Sequence, residues 1–515
     1  MTHSNADLAA ARARIASAYS PKAFESVAGE IAATLADQLQ AVETRRTKVL
    51  NWSDPATLVA DARQCLETPK AVSANSANGS ISAHAGALAR DTLAHGQNMH
   101  HPHYVGHQVP APVPLAGLFD LVGSVTNQVM AIYEMGPWAT AVEHAVVDAI
   151  GERLGFAPQS FSGLVTSGGT LANLTGLLAA RNTVLGDSWT AGVPRSGSAP
   201  VIVAHADAHY SVTRSAGILG MGTNQIVSAA LDDRRRMDPN RLNDTLRDLR
   251  SRGVPIVAVS GAACATPIGA FDSIPEIVDV CRRHDVWLHI DAAHGGALAF
   301  SERHRHLVAG IEHADTVVCD AHKMMFMPAL CALLFYRDPD HRLAPFHQEA
   351  PYLFDPLVPE LAQYDSGVAN LECTKRAAAF GVWGVWSLLG PQIFADMVDV
   401  TIDTARQFYE QLIQTDDFEP LHNPQCNIVA FRYLPAQLAA AAPQDVDQFQ
   451  LRLRRRVIES GEFYLVGSRI DGRPVLRTTI MNPLTTPDDM RALINCLRRQ
   501  GAELLAEKTP APATR

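Results

Sequence analysis

Between about Asn98 and Trp386, short and almost wholly apolar runs alternate with helical ones, and this constrains the fold more than any other feature. FSGLVTS, APVIVAHA, PIVAVSG, VWLHID and DTVVCD read as strands, with TLANLTGLLAARN and SIPEIVDVCRRH as helices between them. A strand that is apolar on both faces must be covered on both faces, and intervening helices supply that cover while bringing successive strands parallel. The pattern predicts an α/β protein built on a mainly parallel sheet. In such sheets ligands bind outside the carboxyl ends of the strands, so the residues that follow each strand are where chemistry is expected.

The flanks read differently. Residues 5–50 carry apolar positions at helical spacing and predict helix, and the Ser-, Ala-, Asn- and Gly-rich stretch Val72–Gly86 reads as a linker. Past Gly390 a long helix, PQIFADMVDVTIDTARQFYEQLI, leads to the strands CNIVAFRYL and VLRTTIM and a last helix, DDMRALINCLRRQ. The expected organisation of the 515 residues is therefore an N-terminal helical segment (1–97), a large α/β domain (98–390) and a small α+β domain (391–515), with the tail LLAEKTPAPATR frayed. A net charge of -10 argues against a nucleic-acid partner. No run is long and apolar enough for a membrane span, and the first residues lack a secretory pattern. The 8 cysteines are scattered without a CxxC pair, so neither disulfides nor zinc are expected, and the simplest setting is a reducing cytoplasm. The histidines His100, His101, His103 and His107 lie close in sequence, but Pro102 breaks helical spacing and no carboxylate or cysteine accompanies them, so no metal is expected there either.

The strand ends supply a set of complementary parts. After the first strand, Ser167-Gly168-Gly169 opens a helix, where backbone amides and the helix dipole favour an anion such as a phosphate. His209 follows the second strand and could stack on a flat ring; Thr266 follows the third and could donate to a hydroxyl or carboxylate. Asp291 ends the fourth, with the small Ala293 beside it, and His322-Lys323 follow the fifth. A lysine there can form a Schiff base with a carbonyl, and an aspartate on a neighbouring strand can hold a pyridine nitrogen protonated. These are the two ends of a pyridoxal 5′-phosphate (PLP) site. Each residue alone has an ordinary explanation as a turn, cap or surface residue; five strand ends that each supply one part do not. The rival nucleotide motifs GxGxxG and GxxxxGK[ST] are absent.

These motifs resemble the group II PLP-dependent amino acid decarboxylases. HYSVTRSAGILGMGTN, GAFDSIPEIVDVCRRHDVWLHIDAAHGG, RHRHLVAGIEHADTV, HKMM and Tyr133-Glu134-Met135-Gly136-Pro137 are similar to the glutamate and cysteine sulfinate branch. The resemblance implies a type I (aspartate aminotransferase-like) fold, with N-terminal helices wrapping the partner of an obligate homodimer. It implies that Lys323 bears PLP, Asp291 partners the ring nitrogen, and His209 and Ala293 flank the ring. Ser167, Gly168, Gly169 and His322 would hold phosphate, Thr266 would line the cofactor, Arg477 would take the substrate α-carboxylate, and His107 would line the substrate approach.

The implied reaction is α-decarboxylation of a small L-amino acid, with an acidic side chain expected from the branch. Diamino or aromatic substrates, oxidative deamination to an aldehyde, and a catalytically silent interaction protein stand as alternatives. Three positions depart from the family pattern. Asp320 replaces an Asn, His294 replaces an aromatic residue, and Glu360 stands where the branch carries its loop tyrosine, leaving Tyr364 and Tyr352 as candidate acids.

Overall fold

The computed structural model describes residues 5–67, 79–194, 197–346 and 359–507. The chain divides into two compact units. One comprises Met1–Gly106, Ala440–Gly467 and Leu484–Arg515; the other comprises His107–Ala439 and Ser468–Pro483.

The second unit holds a seven-stranded sheet: β1 (Ser162–Thr166), β2 (Val201–His205), β3 (Ile226–Ala229), β4 (Ile256–Ala262), β5 (Leu288–Asp291), β6 (Thr316–Asp320) and β7 (Ala332–Tyr336), in the order β1-β7-β6-β5-β4-β2-β3. β3, β2, β4, β5 and β6 pair parallel, while β7 runs antiparallel to both β6 and β1. The expected mainly parallel α/β sheet is therefore present. Every residue of β2, β4, β6 and β7 is buried, as the largely apolar sequences of β2, β4 and β6 anticipate. β3 and β7 were not among the strands read from sequence. β7 closes directly after the Lys323 loop and so lacks the helical spacer that marks the other crossovers.

β1 is an edge strand, and its outer backbone groups need partners. A buried ion pair provides them. Val165 N donates to Glu143 Oε1 (3.2 Å), and Lys375 Nζ donates both to Glu143 Oε1 (2.5 Å) and to Val165 O (2.7 Å). This fixes the strand end from which the Gly168-Gly169 turn springs.

The C-terminal region is the expected smaller α+β arrangement. Its strands β8 (Phe418–Pro420), β9 (Ile428–Tyr433), β10 (Val466–Ile470) and β11 (Arg473–Thr479) form a sheet in the order β10-β11-β9-β8.

The N-terminal expectations need correction. The helix expected over residues 5–50 is two helices, α1 (Asn5–Ala18) and α2 (Pro21–Glu43), and ends early. Pro21 suits the first turn of a new helix but not the interior of an old one, and Ser20 caps α2 by accepting from Ala23 N at 3.3 Å. Past Thr44, Arg45 takes a left-handed φ of 55° and the helix stops. After α3 (Pro55–Glu67), residues 72–78 of the expected linker lie outside the described residues, but its second half begins helix α4 (Gly79–His95). Alanine content favours helix there, and Gly86 permits close approach to α2, since a Cβ would come within 2.3 Å of Glu30 Oε1. The tail expected to fray from Leu504 instead begins inside the helix Pro487–Ala506, where Leu504 is buried, and from residue 508 it lies outside the described residues. Among the described residues no helix is long and apolar enough to cross a membrane.

Candidate active site

A cavity of about 440 Å³ opens at the carboxyl ends of the strands in the second unit. Ser167, Gly168, Gly169, His209, Thr266, Asp291, Ala293, His322 and Lys323 all line it, so nine of the residues read from sequence meet in one place. A larger cleft of about 710 Å³, bordered by Asp232, Arg235, His422 and Asp471, lies elsewhere in the same unit. There Arg235 is already paired with Asp207 (2.8 Å) and Asp471 (2.7 Å), and the strand-end set is missing.

Asp291 ends β5 with its carboxylate held from two sides. Asn173 Nδ2 donates to Oδ2 (2.9 Å) and Ala293 N donates to Oδ1 (3.1 Å). Asn173 belongs to a longer relay. Its Nδ2 also donates to Ser211 Oγ (2.9 Å), which contacts His209 Nδ1 at 2.8 Å. With the amide nitrogen facing two acceptors, Asn173 Oδ1 must accept from His289 Nε2 at 2.9 Å. His289 Nδ1 then accepts from Thr316 Oγ1 (2.9 Å), whose oxygen in turn accepts from Trp287 Nε1 (3.1 Å). Burial holds the His289 pKa down to about 4, which keeps the ring in this neutral tautomer. Asn173, Ser211 and His289 escaped the sequence reading. The one available signal was polarity on an otherwise buried strand and helix.

Lys323 sits in the loop after β6, its Nζ 3.1 Å from Asp320 Oδ2. Burial pulls its pKa down, but the Asp320 and Asp291 carboxylates outweigh that and raise it above the ordinary lysine value. His209 caps the helix Tyr210–Ile218. Burial lowers its pKa, with Asp291 opposing, so the imidazole is neutral near pH 7. Ala293 is buried and presents only a methyl group to the cavity.

Opposite lies the turn that opens the helix Gly169–Leu185. Gly168 has φ 116°, a conformation that side chains resist, and a Cβ on Gly169 would fall 2.7 Å from Asp320 Oδ2. Together the turn and the helix N-terminus form a cradle of the kind that holds phosphate. The Ser167 hydroxyl donates to Glu372 Oε1 (2.7 Å), which leaves its backbone as the group free to face an anion. His322 is anchored through Nδ1 to Cys331 O at 2.8 Å. Asp320 is buried with Oδ1 unpartnered. A lysine, a strand-end carboxylate and a glycine turn at a helix N-terminus, all lining one cavity, fit PLP.

Three expected residues lie off the cavity. Arg477 is buried behind the wall, where Nη1 donates to the carbonyl of cavity-lining Thr266 (2.8 Å) and Nε has no partner. Burial lowers its pKa to about 10, so the guanidinium still carries its charge near neutrality. His107 is exposed, and its neighbours Gln108 and Val109 line the cavity instead. Tyr364 packs between Tyr133 and His144, at 5.8 and 5.4 Å between ring centroids. Tyr352 and the side chain of Glu360 lie outside the described residues. Among the described residues, none of His100, His101, His103 and His107 belongs to a group of possible metal ligands.

The chain is similar to known proteins over most of its length. The pyridoxal-dependent decarboxylase conserved domain matches residues 73–434. An L-2,4-diaminobutyrate decarboxylase of Rhizobium meliloti is 31% identical over 419 residues, covering 81% of this chain and 81% of that one. Among solved structures, mouse CSAD superposes with a TM-score of 0.82 at 24% identity, over 93% of this chain and 99% of that one. The glutamate decarboxylase domain of a Vibrio parahaemolyticus diaminobutyrate-pyruvate transaminase and L-2,4-diaminobutyrate decarboxylase superposes with a TM-score of 0.78 at 24% identity, over 93% and 96%. At that identity the two structures bear on fold alone.

Proposed function

Because the chain belongs to the pyridoxal-dependent decarboxylase family, we propose that it removes the α-carboxyl group of a short diamino acid of the 2,4-diaminobutyrate type as carbon dioxide. That it is a PLP enzyme acting on an amino acid is common to the whole family; the side chain is the finer question. The observation that carries the diamino reading is the charge of the cavity. Among the described residues, Lys323 is the one lysine or arginine in its lining, and Asp291 and Asp320 are the carboxylates. An acidic side chain would need a second cation, which this lining does not supply. The diaminobutyrate decarboxylase relative supports the same choice. Likeness of the HKMM and DAAHGG runs to the glutamate and cysteine sulfinate branch, together with a histidine at position 107, favours the acidic reading as the second.

When bound, PLP supplies an electron sink conjugated to the substrate Cα. The remaining work falls to protein groups. Lys323 Nζ would hold the cofactor through its aldehyde. Asp291, pinned by Asn173 and Ala293, would keep the ring nitrogen protonated. His209 and Ala293 would pack against the ring, and the Gly168-Gly169 turn with His322 would hold the phosphate. Thr266, whose carbonyl accepts from the Arg477 guanidinium behind it, would orient the substrate α-carboxylate for loss as carbon dioxide. Gln108 and Val109, beside His107, border the side-chain end. Tyr364, on the segment between Pro345 and Cys373, is a candidate to return a proton to Cα. The exposed apolar residues Leu8, Ile15, Phe24 and Leu35 of α1 and α2 support assembly as a homodimer.

The test is a substrate panel. 2,4-Diaminobutyrate, ornithine, lysine, aspartate, glutamate, cysteine sulfinate, tyrosine and tryptophan are assayed for carbon dioxide and for the amine. The proposal expects kcat/KM for 2,4-diaminobutyrate to exceed that of every acidic substrate by at least about tenfold. A preference for an acidic or aromatic amino acid rejects the diamino reading.

A further inference from the structure

A second cluster of reactive side chains lies against the cavity and takes no part in the roles above. Cys264 follows β4, His294 follows β5 and Cys426 precedes β9. All three are buried, and their donor atoms lie within 4.8 Å of one another. The two sulfurs are 4.0 Å apart.

The hydrogen bonds assign the histidine tautomer. Asn427 Nδ2 donates to Ile480 O at 2.8 Å, so its Oδ1 is the atom that faces His294. The 2.8 Å contact with His294 Nε2 is then an N–H donation to Asn427 Oδ1. Nδ1 is left with a bare lone pair. It is buried and has no hydrogen-bond partner, an arrangement that costs free energy unless something accepts the lone pair. A ligating histidine usually donates its other ring N–H to a carboxylate, a backbone carbonyl or water, and the Asn427 carboxamide oxygen takes that place here.

The surroundings suit sulfur ligands as well. Gly269, with φ 72°, makes room for Cys426, since a Cβ there would lie 2.2 Å from its Sγ. Arg477, buried without a carboxylate partner, interacts electrostatically with both cysteines and offsets negative charge on them. Sulfurs bound at about 2.3 Å with a near-tetrahedral angle sit about 3.8 Å apart, close to the separation found.

We propose that Cys264, His294 and Cys426 bind one thiophilic d10 cation, Zn(II) or Cu(I), with Asn427 as the residue that orients the imidazole. Binding replaces two thiol protons, which leave to solvent, by two metal–thiolate bonds, and no electron is transferred. With Zn(II) the site is neutral; with Cu(I) it carries one negative charge opposite Arg477. Cys264 and His294 both line the cavity, which gives the ion a path and ties the occupied site to the cavity wall after β4. This site is independent of which amino acid is the substrate.

The reduced holoenzyme is incubated anaerobically with Zn(II) or, separately, Cu(I), desalted against a weak chelator, and its metal content measured. Wild type retains about one equivalent of one of these ions per chain, and Co(II) loading produces a near-ultraviolet thiolate-to-metal band. Cys426→Ser weakens retention by about 100-fold or more, Asn427→Ala by about 10- to 100-fold, and Cys496→Ser, outside the cluster, leaves it unchanged. Co(II) loading of wild type serves if a variant fails to fold. Failure of wild type to retain either ion overturns the proposal. Retention indifferent to Cys426→Ser overturns it equally, as does a Cys264–Cys426 disulfide in a protein whose reduced form takes up no cation.

Discussion

Asp291 and His289 stand two residues apart on one strand and do opposite electrostatic work. In the proposed role Asp291 stays charged to hold a proton on the pyridine nitrogen, while a neutral His289 orients Asn173 against it. Asp291→Asn is expected to fold and bind PLP while kcat falls by about 100-fold or more, because an amide cannot stabilise the protonated ring. Cofactor absorbance and turnover measured on the same sample check this, and near-normal turnover would make Asp291 a structural residue only. His289 gives a stability prediction with a definite sign. Its folded pKa, about 4, is below the unfolded value near 6.5. The unfolded chain therefore takes up a proton that the fold refuses as pH drops through 6.5. Stability is full above that value and declines between about 6.5 and about 4, by up to about 3 kcal/mol. Denaturant titrations at pH 7 and pH 4.5 should show a larger loss for wild type than for His289→Gln; equal losses would refute the assignment.

At the scale of elements, the parts that sequence revealed are those where local pattern and tertiary role coincide. β2, β4, β5 and β6 are mostly apolar and almost wholly buried, and the residues at and just past their carboxyl ends gather at the cavity. Lys323, Asp291 and the Gly168-Gly169 turn were legible for that reason. Asn173 and Ser211 were not, since each is one polar residue in a helix, and its meaning depends on which strand end the helix crosses. Nor was the Glu143–Lys375 pair, whose partners are far apart in sequence and meet only because β1 is an edge. The Pro21 break and the helix through Gly79–Gly86 were missed because Ser, Ala and Gly serve linkers and helices alike. The turn itself supplies a prediction. Gly168→Ala forces a methyl group into φ 116° and should weaken PLP binding to the apoenzyme by about tenfold or more, read from cofactor titration by fluorescence. Unchanged affinity would place the phosphate elsewhere.

Over the whole molecule, exposed apolar surface gathers on the N-terminal helices and on the helix Pro114–Thr126, where Leu115, Leu118, Leu121, Val122 and Val125 all face outward. Surface of that kind is stable when a second copy covers it. Sedimentation of the holoenzyme across dilution is expected to show a dimer and no active monomer; an active monomer would remove the case for a shared assembly. The proposed chemistry depends most on one atom, Lys323 Nζ, which lies 3.1 Å from Asp320 in the loop after β6, on a residue that lines the cavity with Asp291 and the Gly168-Gly169 turn. Borohydride reduction of the PLP-loaded protein followed by peptide mapping tests it directly. The predicted result is a single modified lysine, Lys323, at about one label per chain; a label on any other lysine, or none, would contradict it.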